Sequence, residues 1–194
     1  MAFRDENKGR DIVHTGWREL MDLSKVPFAY SNLTEFKNRI IYYESSRGCP
    51  FSCSYCLSSI DKKLRFRDIE LVKKELQFFI DNKVPQVKFV DRTFNCKHDH
   101  AMEIWRYITE NDNGITNFHF EISADLLRAE ELALMKTMRP GLIQLEIGVQ
   151  STNPQTIKAI RRTMDFEKAE KDCRADPQLW KYPPASGSDR RTSL

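Results

Sequence analysis

The chain has 194 residues, 40% of them hydrophobic, with 31 basic and 28 acidic side chains and a net charge of +3. That length supports one domain with a sizeable core, and the near balance of charge indicates neither a nucleic-acid nor a membrane partner. No apolar run approaches the roughly 20 residues needed to cross a bilayer, and the charged N-terminal segment is unlike a secretory leader, so a cytoplasmic chain is expected.

From about residue 38 to 165, short β-branched or aromatic runs alternate with amphipathic stretches, the pattern of repeated βα units on a parallel sheet. The first strand is RIIYYE. Asp68 then caps a helix whose apolar residues Ile69, Val72, Leu76, Phe79 and Ile80 recur at helical spacing. VPQVKFVD is the second strand, entered at Pro85, and a helix over 98–110 follows with Met102, Trp105 and Ile108 inward. NFHFEIS is the third, before a helix in RAEELALMKTMRP stopped near Pro140, with Met135 inward. LIQLEIGVQS is the fourth, and Pro154 opens the helix after it.

Cys49, Cys53 and Cys56 follow the first strand in the spacing C-x3-C-x2-C. Thiolate is a soft donor that suits zinc or iron–sulfur clusters, and a closed zinc site wants a fourth Cys or His in paired spacing. None follows nearby. Cys96, His98 and His100 stand much further on and remain candidates to complete a zinc site, although histidines two apart at a helix start fit capping and solvation better. Five cysteines, an odd number without a leader, fit a reducing compartment and argue against disulfides. Three thiolates can hold three irons of a cubane and leave the fourth open.

With Tyr55 before the last cysteine, the motif reads C-x3-C-x-aromatic-C and resembles the signature of the radical S-adenosylmethionine (SAM) superfamily. The resemblance implies a [4Fe–4S] cluster on Cys49, Cys53 and Cys56, with SAM chelating the fourth iron. It implies reductive cleavage of SAM to methionine and a 5′-deoxyadenosyl radical, and a reductant such as ferredoxin or flavodoxin. The implied fold is α/β, a partial parallel (β/α)6 barrel of which about four βα units are present, with its chemistry at the C-terminal ends of the strands.

The same resemblance assigns cofactor contacts. Tyr43, six residues before Cys49, and Tyr55 match SAM-contacting aromatics; Asp91 and Thr93 in VDRTFN replace a glycine-rich turn that receives SAM's amino group. Glu121 is expected on the ribose diol, Gln150 and Ser151 close the fourth strand, and Arg162 matches a family arginine. His119, between Phe118 and Phe120, reads as a satisfied sheet residue.

Residues 26–170 resemble bacterial radical SAM proteins that carry a cobalamin-binding domain in front, so cobalamin is implied only for longer relatives. Residues 1–36 read as a linker-like segment, 37–170 as an incomplete radical SAM core and 171–194 as a disordered tail. Back-translating the tail one nucleotide later permits the apolar run HLDLIAGLP, similar to the family's fifth strand, so a frameshift near Lys171 is expected to have replaced the rest of a longer protein. A barrel ending after four units would lack its substrate-closing walls. The alternative to a radical SAM enzyme is therefore a non-catalytic fragment holding iron–sulfur or zinc.

Overall fold

Four short segments place apolar side chains on one face and polar ones on the other, and each becomes a parallel strand with its apolar face against helices. The computed structural model describes residues 2–5, 9, 11–16, 18–37 and 39–175. An antiparallel hairpin of β1 (Ala2–Asp5) and β2 (Asp11–His14) comes first. β3 (Ile41–Tyr43) begins the main sheet. β4 (Ser46–Arg47) and β5 (Arg65–Phe66) then pair antiparallel across the cysteine loop. α1 (Ile69–Asp81), β6 (Gln86–Phe89), α2 (His98–Glu110), β7 (Asn117–Ile122), α3 (Ala129–Met135), β8 (Ile143–Ile147), α4 (Pro154–Ala159) and α5 (Phe166–Ala175) complete the order. The sheet runs β3-β6-β7-β8, parallel throughout.

Ile41, Tyr43, Val87, Phe89, Phe118, Phe120 and Ile122 face the helices and are buried. Phe120 lies between Phe89 and Phe94, with centroids 4.5 and 4.4 Å away, and Trp105 closes the stack 5.3 Å from Phe94. Burial of this aromatic set stabilises the core. The opposite face of the sheet carries Tyr42, Lys88, His119, Glu121, Gln144 and Glu146. It is the face that a closed barrel would turn inward.

Asp68 caps α1 by accepting from Leu71 N at 3.0 Å. α2 has the span its sequence predicts. α3 is shorter than RAEELALMKTMRP suggests, because Arg139 turns out to bind Asp112 and Gly141 takes φ +87 to redirect the chain into β8.

The segments that read as linker and tail both contribute described structure beside the core. Leu23 is buried, and Phe28 packs on Phe78 and Phe79 at 5.3 and 5.5 Å. Arg67 donates to the carbonyls of Leu23 and Val26, drawing residues 23–36 onto the core although they read as a linker. At the other end α5 continues through Lys171 to Ala175, with Ala169 buried and Lys168 Nζ donating to the carbonyls of Asp125 and Leu127. The remainder of the expected tail, residues 176–194, lies outside the described residues. Among the described residues no helix is long and apolar enough to cross a membrane.

Candidate functional site

The cysteine loop leaves β3 at the C-terminal edge of the sheet and is tied down at its base, its middle and its far side. At the base, the β4–β5 ladder pairs Ser46 with Phe66 and Arg47 with Arg65. Gly48 adopts φ +99 there, and a Cβ on it would sit 2.5 Å from the Lys63 carbonyl oxygen. That close approach lets Cys49 N donate to Asp61 O at 2.9 Å. In the middle, Lys62 Nζ bridges the Phe51 carbonyl and Ser52 Oγ, and Cys56 N closes a turn on Cys53 O. On the far side, Ser54 N donates to Ile160 O at 2.9 Å and Arg162 Nη1 to Tyr55 Oη at 3.1 Å. Arg162 Nη2 also donates to the Gly148 carbonyl beyond β8. The loop thus spans from the first parallel strand to the last βα unit.

Cys49 and Cys53 are each 7% exposed, Cys56 is half-buried, and all three are free thiols. Thr93 Oγ1 lies 3.8 Å from Cys49 Sγ. His98 pairs with Glu131 at 2.9 Å and His100 with Ser45, so the two histidines of FNCKHDH serve different neighbours. Burial pushes the Cys96 thiol up to about 11.

The profile of the Radical SAM superfamily matches residues 43–174. The chain belongs to the radical SAM superfamily. It is 25% identical over 130 residues to a bacteriochlorophyllide d C-12(1)-methyltransferase of Chlorobaculum tepidum, covering 64% of this chain and 28% of that protein. An uncharacterized methyltransferase of Pyrococcus horikoshii is 26% identical over 119 residues, covering 60% and 25%. The radical SAM methyltransferase TsrM from Kitasatospora setae shares the fold with a TM-score of 0.59 at 17% identity. One of its structures holds tryptophan and a SAM analog, with 70% of this chain and 28% of TsrM covered. The other, with cobalamin and a [4Fe–4S] cluster, is covered over 71% and 29%. The chain therefore spans less than a third of the length of these relatives.

For a radical SAM chain, the structure distributes the expected contacts unevenly. Tyr55, Thr93 and Arg162 gather at the cysteine loop. Glu121 is on the open face of the sheet, 3.7 Å from Lys88 Nζ. Gln150 takes φ +66, and Ser151 Oγ accepts from Asn153 N at 3.1 Å. An open pocket of about 610 Å³ is lined in part by Ser151, Ile157, Arg162 and Met164. Arg162 Nε is buried beside it and has no partner among the described residues.

Tyr43 and Asp91 have partners within the chain. Tyr43 is 5% exposed in the helical layer, and its hydroxyl donates to Glu75 Oε2 at 2.7 Å; burial and that carboxylate raise its pKa. Asp91 is fully buried, with its oxygens accepting from Ser45 N at 2.9 Å, Ser45 Oγ at 2.7 Å and Ser46 Oγ at 2.6 Å. The reason is strand parity: Tyr43 follows Ile41, and Asp91 follows Val87 and Phe89, onto the helix-facing side. Ser45, Ser46 and the buried Arg67–Glu75 pair are unmarked by the motif. A carboxylate in step with core residues is the signal that could have found the serines.

Proposed function

We propose that Cys49, Cys53 and Cys56 hold a [4Fe–4S] cluster and that the chain binds SAM against it and cleaves it reductively. The observation that carries this reading is the placement of three free thiols, two of them shielded, in one tied-down loop at the C-terminal mouth of a parallel sheet. The donor set fits the group. Each cubane ligand holds its own iron, so the three sulfurs need not converge, and among the described residues no three Cys, His, Asp or Glu side chains do converge on a single ion.

When bound, the cluster supplies the electron that breaks a carbon–sulfur bond of SAM. This chain's residues bind and orient. Arg162, with an unpartnered buried Nε beside the pocket that includes Ser151, is suited to an anionic group such as SAM's carboxylate. Glu121 offers two acceptor oxygens to a ribose diol from the open face, while Thr93 flanks Cys49 and Gln150 presents its side chain at the end of β8. Tyr55 sits within the motif and offers an aromatic face. The electron would come from a reductant such as ferredoxin or flavodoxin. Cobalamin belongs to the TsrM structure, and methyl transfer is the reaction named for the relatives; the proposal for this chain stops at cluster and SAM.

Anaerobic reconstitution tests the reading. The expected product carries about four irons per chain and, with SAM and strong reductant, yields 5′-deoxyadenosine and methionine. Stoichiometric zinc with no iron–sulfur absorbance overturns it. A second reading rests on β8, whose outer edge carries no strand among the described residues and whose Ile143, Leu145 and Ile147 are only half-buried. In that reading the chain holds a cluster without cleaving SAM, and reconstituted iron with no 5′-deoxyadenosine would select it.

A further inference from the structure

A buried carboxylate with no cation to balance it is costly, so its hydrogen bonds identify what it is for. Asp91 is such a group: it is wholly buried and accepts from Ser45 N, Ser45 Oγ and Ser46 Oγ. Ser45 lies between β3 and β4, and Ser46 opens β4 three residues before Cys49. The parallel register pairs Tyr43 with Phe89, and Val90 N donates to Tyr43 O at 2.9 Å, which sets Asp91 opposite the serines.

The same network closes on itself through a third element. Ser45 Oγ lies 3.1 Å from His100 Nε2 on α2; its own proton goes to Asp91, so it accepts there and His100 carries its proton on Nε2. The His100 ring packs edge-on at 5.0 Å against Phe66, the ladder partner of Ser46. Two branches of chain leave this ring, and both end at the same sulfur. One runs from Ser46 to Cys49, and the other from Asp91 to Thr93, whose hydroxyl lies 3.8 Å from Cys49 Sγ.

We infer that Asp91 is a positioning residue for the cluster: through Ser45 and Ser46, braced by His100, it fixes the exit of the cysteine loop and so the place of Cys49. The inference rests on the proposed function and deepens it. In this role Asp91 acts through Ser45 and Ser46 and not as a ligand itself.

The test compares reconstituted wild-type, Asp91→Ala and Asp91→Asn chains with Asn113→Ala. The last removes four hydrogen bonds at the opposite end of the sheet and controls for general destabilisation. Asp91→Ala removes three hydrogen bonds to the carboxylate and is expected to release iron to a chelator at least about tenfold faster. Its reduced cluster should also show an altered electron paramagnetic resonance spectrum. Asp91→Asn, which keeps one acceptor oxygen, should recover most of the wild-type behaviour, and Asn113→Ala should keep the wild-type spectrum. Wild-type iron retention and spectrum in Asp91→Ala overturn the inference while leaving the proposed function standing. If Asp91→Ala does not fold, by circular dichroism, Ser46→Ala decides in the same two directions. A wild-type chain that takes up no cluster removes the proposed function and this inference with it.

Discussion

Arg162 donates from Nη1 to the Tyr55 hydroxyl at 3.1 Å, across 107 positions of sequence. Its second terminal nitrogen holds the Gly148 carbonyl, so one guanidinium joins the cysteine motif to the end of the last strand. Arg162→Ala should therefore loosen the far side of the loop at a cost of about 1–2 kcal/mol. Arg162→Lys should not rescue it, because a single ammonium does not reproduce the planar fork. Hydrogen exchange at Ser54, whose amide is bonded to Ile160 O, is expected to accelerate in both variants, and unchanged exchange would refute the strap.

Gly48 sits where the loop begins, at φ +99 with the Lys63 backbone in the way of any Cβ. Backbone cannot swing aside as a flexible side chain can. Gly48→Ala should cost at least about 2 kcal/mol, from strain and lost contacts together, and should lower iron uptake on reconstitution. Denaturant unfolding and iron analysis of the same preparation check both halves.

The Arg67–Glu75 pair is almost fully shielded, with side-chain exposures of 6% and 5%. Arg67 further donates to the carbonyls of Leu23 and Val26, and Glu75 accepts from Tyr43. Glu75→Gln strands a buried guanidinium, and the expected loss is about 3–5 kcal/mol in urea unfolding. Limited proteolysis should then cut within residues 23–36 before the sheet. A variant as resistant as wild type would show that these residues are anchored by something else.

Asp91 and His100 give an opposed pair of pH dependences. Burial pushes the Asp91 carboxyl up to about 6 against the Ser45 and Ser46 hydrogen bonds that lower it, with Glu44 adding to the rise. Burial, with Lys97 nearby, pushes His100 down to about 4. Between pH 4 and 6 the folded Asp91 binds more protons than the unfolded chain, so its contribution to stability grows as pH falls. His100 binds fewer in that window, so its contribution shrinks, and the two nearly cancel. Relative to wild type, Asp91→Asn should lose stability and His100→Gln should gain it as pH falls from 6 to 4. Parallel curves for all three proteins would contradict this account.

Much of the architecture is legible in local pattern. The period of two in NFHFEIS places Phe118, Phe120 and Ile122 inward and leaves His119 and Glu121 on the open face, and the structure has them so. Helical spacing gives α1 and α2, and the cysteine spacing marks the loop. The same period of two, carried to the strand ends, assigns Tyr43 and Asp91 to the core.

The sequence by itself determined the parallel βα order, the side of each strand that is buried and the three thiols, because these follow from periodicity and donor chemistry within a few residues. Only the tertiary structure decided which distant groups hold the thiols in place. Ser45 with Asp91, Ser54 with Ile160, and Tyr55 with Arg162 meet because parallel strands bring their C-terminal ends to one side of the sheet. No local pattern encodes such a meeting, since each partner satisfies its own segment's rules equally well with the other absent. The core's early start at Leu23 has the same cause: a guanidinium forty-four residues away accepts no local alternative once it is buried with Glu75.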